Sequence, residues 1–425
     1  MMETAFGLDF GTTNSALSVY NTGQVEVVDI DEHNTTGKTL RTVIYFDEES
    51  NIFVGQEAIQ NYIFNGAVGR FMQSIKSFLP SSLFEYTYIN GRRYELNDLI
   101  SIILKKIKEK GEEYVGHQVD RVIIGRPVVF SEDKQNDRLA EARLRKAAEK
   151  AGFKDIQFQL EPVAAALAFE QTLGNNEERI VLIGDFGGGT SDFTILRSKG
   201  SSLRKCGNRQ EDVLSVGGVY VGGDTFDSQL MWEKVAVHFG RNVKFKSMTG
   251  TILDMPTRIT LKLRNWHLIP MLKEKSIREF IWQIKQTADD RQAIENLENI
   301  IEDNYGFMLF QAIEKVKIDL SSYENSRIVF KERDLSIGEV VSRKEFESSI
   351  VGNIEKISRC VDSTLHGAGL SPGAIDTVFI TGGSSYIPCI RRVFIEKFGE
   401  EKMQQKDAFT SVAYGLGLNS TQFFS

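Results

Sequence analysis

Asp9-Phe10-Gly11-Thr12-Thr13 and Asp185-Phe186-Gly187-Gly188-Gly189-Thr190 are two versions of one pattern, 176 positions apart. Each follows a short apolar run, residues 5–8 in the first copy and 180–183 in the second. Each leads into a further strand-like run, residues 16–20 and 193–196. Both copies therefore read as strand, Gly-rich turn, strand. Such a duplication predicts two similar lobes facing one another across a cleft. A Gly-Thr turn offers backbone N–H groups and a hydroxyl to a phosphate with no side chain in the way. An Asp beside each turn suits a hydrated Mg²⁺. Two such turns can grip one nucleoside triphosphate from both sides.

The rest of the chain sets bounds. Its 425 residues suffice for about three domains of ~150 residues, or for two large lobes with real cores. A hydrophobic share of 41% and a charged share of 26% place it among ordinary globular proteins rather than disordered ones. The net charge of −7 argues against general nucleic-acid binding. No apolar run approaches the ~20 residues that span a membrane. Glu3 stands where a secretory leader would carry Lys or Arg. Cys206, Cys360 and Cys389 lack paired spacing and read as free thiols in a reducing, cytoplasmic compartment. The histidines are scattered, without metal-ligand spacing.

Residues 1–30 read as consecutive strands, and 122–125 as a buried strand. Helices are predicted over 94–114, with Asn97 as its cap, over 132–152, closed by Gly152, and over 163–173. The polar stretch 174–179 marks a boundary between a first lobe, 1–178, and a second, 179–406. A helical C-terminal segment, 407–425, is expected to cross back and complete the first lobe. In the second lobe, 201–212 is a polar excursion, and Gly217-Gly218 and Gly222-Gly223 bracket a short strand. Helices are expected to start at 224 and to cover 310–322 and 345–365, with a strand over 375–380. An enlarged helical subdomain is expected over about 228–345. Between Arg241 and Arg291, eleven Lys and Arg oppose five Asp and Glu. That excess reads first as a solvated face and second as a docking surface for a protein partner. The stripe Ile277, Phe280, Ile281, Ile284 reads as core.

Taken together, these motifs resemble the nucleotide-binding half of the 70-kDa heat-shock chaperone (DnaK) family, within the actin-like ATPases. The likeness is closest to its short YegD-type members and runs over nearly the whole chain. Its best stretches, in the family's order, are residues 7–15, 122–127, 158–168, 183–192, 222–227 and 375–388. The resemblance implies an α/β fold: a two-lobe actin-like ATPase of duplicated ribonuclease-H-like domains, with a nucleotide cleft between the lobes. It implies ATP/ADP and Mg²⁺ as cofactors. Asp9 and Asp185 would hold Mg²⁺ through water. Gly11, Thr12, Thr13 and Asn14 would cradle the phosphates from one lobe, and Gly187, Gly188, Gly189 and Thr190 from the other. Lys76 matches the catalytic lysine, a compact charge suited to a γ-phosphate. Glu161 matches the carboxylate that orients the attacking water, and Asp192 and Thr190 also bear on that step. Gly222, Gly223, Gly382, Gly383, Ser384 and Tyr386 would line the nucleoside and sugar side. Glu314, Lys317 and Ser321 match the nucleoside-contacting helix. Such a set fits phosphoryl transfer, where positioning and charge neutralisation dominate. A protein-kinase reading of Asp-Phe-Gly fails, because no HRD-type loop precedes either copy.

The pattern departs from the family at the base end. Ile318 stands where an arginine usually stacks on adenine, Tyr386 where another arginine lies near the base, and Phe409 where an aspartate precedes Val412–Gly415. Losing an arginine stack weakens binding by ~1–3 kcal/mol, so weaker or altered base recognition is expected. Eight residues follow Gly417, with no Leu-rich linker and no β-sandwich, so a peptide-binding domain is expected to be absent. The expected activity is slow ATP hydrolysis driving a conformational switch in a chaperone-like protein. Three other readings are a nucleotide-gated binding protein with little or no hydrolysis, a small-molecule kinase of the same superfamily, and an actin-type filament. The partners expected are nucleotide and an unidentified protein that meets the basic 241–291 segment, with no nucleic acid and no membrane.

Overall fold

The computed structural model describes residues 4–34, 37–66, 68–203, 209–247, 249–404 and 410–424. The chain divides into two compact units, one of Met1–Tyr220, Ile357–Ser385 and Arg391–Ser425, the other of Val221–Lys356 and Tyr386–Ile390.

Two large sheets dominate the first unit, beside a three-stranded sheet and a two-stranded hairpin. One contains β1 (Ala5–Phe10), β2 (Asn14–Asn21), β3 (Gln24–Val27), β4 (Thr39–Arg41), β5 (Arg121–Arg126) and β6 (Asp155–Leu160), ordered β6-β5-β1-β2-β3 with β4 also on β2. The other contains β7 (Glu178–Phe186), β8 (Ser191–Lys199), β9 (Val213–Val219), β10 (Thr377–Thr381) and β11 (Met403–Gln404), ordered β9-β8-β7-β10-β11. The two share one local wiring. A central strand, β1 or β7, has an antiparallel hairpin partner on one side and a parallel neighbour on the other. The hairpin needs only a tight turn, whereas the parallel neighbour must arrive by a longer crossover. Asp9 and Asp185 are both the penultimate residue of the central strand.

Helices cover the first sheet. In α1 (Leu96–Val115), Leu99, Ile100, Ile103, Leu104 and Ile107 are fully buried, the spacing of a single apolar face. Gly111 lets this helix close on the sheet, since a Cβ there would sit 2.7 Å from the Phe6 ring. Asn97 is not the cap. Glu95 and Asp98 form a reciprocal capping box, and Asn97 is buried one position inside it. In α2 (Lys134–Lys150), Asp133 caps the start by accepting from the N–H groups of Gln135 and Asn136. Gly152, at φ 97°, follows its end. The next helix, α3 (Glu161–Glu170), begins two residues earlier than its apolar run suggests, with Pro162 in its first turn. The final long helix, α4 (Ser411–Leu418), packs on α3, β1 and β2. Its Gly415 touches backbone, because a Cβ would fall 1.8 Å from the Ala164 carbonyl oxygen. Ser18 Oγ donates to the Ala413 carbonyl at 2.5 Å, and Asn419 Nδ2 donates to Gln159 Oε1 at 2.6 Å.

The second unit is largely helical. Helix Gly223–Leu230 continues into a π-helical turn, Met231–Val235, and helix Gly306–Ser322 precedes the hairpin Asn325–Glu332/Leu335–Ser342. Within helix Lys275–Lys285, Ile281 and Ile284 of the expected core stripe are buried, whereas Ile277 and Phe280 are half-buried. The basic excess is partly spent internally. Arg278 pairs with Glu302 at 2.6 Å and Lys285 with Glu298 at 2.5 Å, while Arg241 and Arg264 both lie over the Trp232 ring. The single helix expected over 345–365 is two, Arg343–Ser349 and Val351–Gly367, interrupted where buried Ile350 leaves helical geometry. Among the described residues, no helix is long and apolar enough to cross a membrane, and Cys360 and Cys389 are free thiols. Cys206 and Phe409 lie outside the described residues.

Candidate active site

Each Asp-bearing strand turns back on itself through glycines, but the glycines differ in duty. A Cβ on Gly11 would lie 2.2 Å from the Asn14 carbonyl oxygen, so the turn Gly11, Thr12, Thr13, Asn14 needs glycine to close. In the second turn the Gly187 N–H donates to the Thr190 carbonyl at 2.9 Å. A Cβ on Gly189 would meet nothing within 4 Å. Gly187 and Gly189 face solvent, and Gly188 is half-buried between them. This leaves a bare stretch of backbone on which an anion can rest.

Lys76 arrives from elsewhere in the fold. It sits in a 3-10 turn, Ile75–Phe78, entered through Ser74 in the left-handed conformation at φ 55°. Its ammonium is buried and donates to Glu161 Oε1 at 2.7 Å. Glu161 is the first residue of α3, where the helix N-terminus favours a negative charge. Gly125 makes room for it, since a Cβ there would approach Glu161 Cγ to 3.1 Å. Across the hairpin, Asp185 and Asp192 are register partners. Thr381 Oγ1 donates to Asp185 Oδ1 at 2.9 Å, and Thr190 Oγ1 donates to Asp192 Oδ2 at 3.1 Å. A Cβ on Gly218 would crowd Asp192 Oδ1 at 2.9 Å. Thr381, Gly125 and Gly218 thus support the site, though sequence reading gave them no such role. Gly218 and Thr381 lie in or beside quoted glycine pairs, and Gly125 ends the quoted strand 122–125, which was the available signal.

The charges do not balance. Burial, then the negative charges of Glu161 and Asp185, push Asp9 up to about 8, even against the pull of Lys76. Burial and Glu161 likewise raise Asp185. Burial of the carboxyl, followed by Asp185, pushes Asp192 up to about 6, although the residue as a whole is exposed. For Lys76, burial alone would lower the pKa, but Glu161, Asp9 and Asp185 together raise it. Four carboxylates therefore surround one ammonium, and the cluster lacks positive charge. A divalent cation accompanying a polyphosphate fits that deficit. Among the described residues, no three acidic, His or Cys side chains are arranged to hold a metal directly. Asp9 and Asp185 would hold Mg²⁺, and attachment through its water shell matches this arrangement.

The remaining predicted residues fall in two places. Gly382, Gly383 and Ser384 belong to the first unit, after β10. Gly382, at φ 83°, has a structural duty of its own, since a Cβ would strike the Phe186 carbonyl oxygen at 2.1 Å. Gly383 is exposed and Ser384 buried. Gly222, Gly223, Glu314, Lys317, Ser321 and Tyr386 belong to the second unit. Glu314, Lys317 and Ser321 share the helix Gly306–Ser322. Lys317 is buried and engaged, donating to Asp227 Oδ2 at 2.7 Å and to the Gly223 carbonyl at 3.3 Å. Ser321 Oγ donates back to the Lys317 carbonyl at 3.4 Å. Ile318 and Tyr386, where the base-end pattern departs, are both exposed.

The family model described as Hsp70 protein matches residues 5–251 and 286–421, leaving 252–285 outside the match. The chain is similar to the chaperone protein DnaK of Thermosipho melanesiensis, 27% identical over 98% of this chain and 59% of that protein. It is similar at 26% identity to the chaperone protein DnaK of Thermotoga petrophila and of Thermotoga maritima, with the same coverage. The chain thus spans about three-fifths of the length of these relatives, 59%. The matched segments contain both Asp-bearing turns, Lys76 and Glu161. The chain belongs to the Hsp70 family, and its α/β fold is the actin-like ATPase fold of that family.

Proposed function

We propose that this protein binds ATP·Mg²⁺ at the Asp9 and Asp185 turns and hydrolyses it slowly, working as a chaperone-like conformational switch. The observation that carries the reading is the Lys76–Glu161 pair, held at 2.7 Å among carboxyl groups raised by burial and by one another's charge, the setting that a bound cation would relieve. Lys76 would meet the γ-phosphate as a compact positive charge. Glu161 and Asp192 would orient the attacking water and take its proton, and a carboxyl at about 6 is well placed to exchange protons near neutrality. Thr190, already bonded to Asp192, would join Gly187, Gly188 and Gly189 in holding the phosphate. Bound Mg²⁺ supplies neutralisation of the phosphate oxygens. A switch follows where ATP prefers one conformation to another, and its size is set by that difference in affinity.

A second reading, nucleotide-gated binding with little turnover, draws on the same pair. A carboxylate bound to Lys76 is not free to act on water until the ammonium moves to a phosphate. Single-turnover hydrolysis of ATP·Mg²⁺ separates the readings, with wild type beside Lys76→Ala. Loss of hydrolysis in the variant supports the ATPase. Nucleotide binding without hydrolysis in either protein supports the gated binder. The exposed Ile318 and Tyr386 further favour loose selection of the base, so other nucleoside triphosphates should compete measurably with ATP. A protein partner would read the switch, and the basic 241–291 segment is a surface that could meet it.

A further inference from the structure

The turn that carries Lys76 is held from the far side by an arginine. Arg143, on α2, sends its guanidinium into the loop that follows the turn. Its Nη1 donates to the carbonyls of Leu79 at 2.9 Å, Ser81 at 2.8 Å and Phe78 at 3.4 Å, and its Nη2 donates to Phe84 at 2.7 Å. Among the described residues no carboxylate pairs with it. Burial alone pushes its pKa down from the usual arginine range. A partly buried cation satisfied by carbonyls is an unusual use of a guanidinium, whose fork ordinarily meets a carboxylate or phosphate. Here it serves four backbone oxygens, of which those of Phe78 and Ser81 also accept from the N–H groups of Ser81 at 3.0 Å and Phe84 at 3.3 Å.

The grip reaches Lys76 in two bonds. Arg143 holds the Leu79 carbonyl, and the Leu79 N–H donates to the Lys76 carbonyl at 3.1 Å. On the other flank Ser74 is left-handed, a conformation that is unfavourable for a non-glycine residue and needs support from its surroundings. The Ser77 hydroxyl donates to the Ser74 carbonyl at 2.7 Å. We propose that Arg143 is a positioning residue for Lys76, fixing the turn so that the ammonium stays at its 2.7 Å contact with Glu161. The proposal rests on the reading of Lys76 as the lysine that meets the γ-phosphate. The competing account is that buried Ile75 and Leu79 fix the turn and Arg143 only caps a loop.

The test uses the full chain with Arg143→Met, which keeps the stem and removes the donors, and Arg143→Lys, which keeps the charge. The first readout needs no nucleotide. Pulsed acetylation of lysines, read by mass spectrometry, compares Lys76 with Lys108, another buried lysine paired with a glutamate. Arg143→Met should acetylate Lys76 at least about fivefold faster than wild type, with Lys108 unchanged, and Arg143→Lys should fall between. The second readout is single-turnover hydrolysis, which should drop roughly tenfold or more while nucleotide affinity shifts less than about twofold, since displacement by an ångström is costly to a reaction. Equal acetylation of Lys76 relative to Lys108 in the folded variants would overturn the proposal. If Arg143→Met fails to fold, Arg143→Lys decides by the same ratio. If wild type does not hydrolyse ATP, the hydrolytic reading falls, and the acetylation ratio still decides the role of Arg143.

Discussion

Lys76 Nζ and Glu161 Oε1, 85 positions apart in the chain, meet at 2.7 Å. One comes from a 3-10 turn and the other from the first residue of a helix. On the proposed reading, ATP competes with Glu161 for the lysine and frees the carboxylate to act. Glu161→Gln keeps the shape and removes the charge. It should leave nucleotide affinity within a few-fold of wild type and lower the single-turnover rate by about 100-fold, the scale of a lost general base. Rapid quenching of an ATP·Mg²⁺ reaction checks this. An unchanged rate would remove Glu161 from the chemistry.

The raised carboxyl groups set a pH dependence. Asp9 stands at about 8, Asp227 at about 7 and Asp192 at about 6, all above their unfolded value near 3.8. Between the unfolded and folded values the native state holds more protons than the unfolded chain, so the free energy of unfolding falls as pH rises. Their contribution is complete below the unfolded value and is lost as pH passes through about 6 to about 8. Glu345, held at about 2 first by its bond from Lys234, acts in the opposite sense but only in more acid solution. Without Mg²⁺, the melting temperature should therefore decline from pH 5 to pH 8.5. Saturating ADP·Mg²⁺ should flatten the share due to Asp9 and Asp192 by compensating their charge, and leave that of Asp227. Scanning calorimetry at several pH values tests the sign, and a melting temperature that rises over this window without Mg²⁺ contradicts it.

Two glycines should part company on substitution. A methyl group at Gly189 has open space around it, so Gly189→Ala should leave the melting temperature within a degree or two of wild type. It should weaken fluorescent ADP binding about tenfold, or ~1.4 kcal/mol, because the methyl stands on the proposed phosphate turn. Gly415→Ala places a methyl 1.8 Å from the Ala164 oxygen and should cost a few kcal/mol by overpacking, seen as a lower melting temperature. Wild-type affinity in Gly189→Ala would move the phosphate elsewhere.

Lys317 has a duty that precedes any ligand. Asp227 Oδ2 accepts from it at 2.7 Å, while Asp227 Oδ1 is buried without a hydrogen-bond partner among the described residues. Lys317→Met leaves the whole carboxylate unpaired, at a cost of ~3–5 kcal/mol. The Asp227→Leu, Lys317→Met double variant should regain much of that loss, because neither charge then remains buried. Urea unfolding of the two variants beside wild type measures it. A Lys317→Met protein as stable as wild type would mean that the pair contributes nothing.

Much of this was legible in the sequence because it is local. Strand, glycine turn and strand follow one another within about fifteen residues, and turn chemistry at Gly11 and Gly187 marks where the chain must reverse. The apolar spacing of Leu99, Ile103 and Ile107 similarly announces a buried helix face. What stayed hidden is non-local. The cap at Glu95 and Asp98 was passed over for Asn97, whose amide favours caps but whose position here is inside the helix. Ile350 belongs to the periodic stripe of 345–365, yet the helix stops there. The Thr381–Asp185 bond joins strands 196 positions apart. The resemblance puts Lys317 on a nucleoside-contacting helix, while its burial against Asp227 depends on a residue 90 positions away. Arg143 bonds to main-chain oxygens, which every residue possesses, so no pattern of side chains could have revealed it.

That last feature gives the loop a freedom of its own. The clamp recognises carbonyl oxygens, so an exposed side chain of the loop, unlike buried Leu79, takes no part in it. Leu83 is 94% exposed and contributes little to the core. Leu83 can therefore be replaced, or carry a dye, without loosening the arginine's hold. A fluorophore there would sit seven residues from Lys76, on the same stretch of backbone, and would serve as an optical gauge of the site.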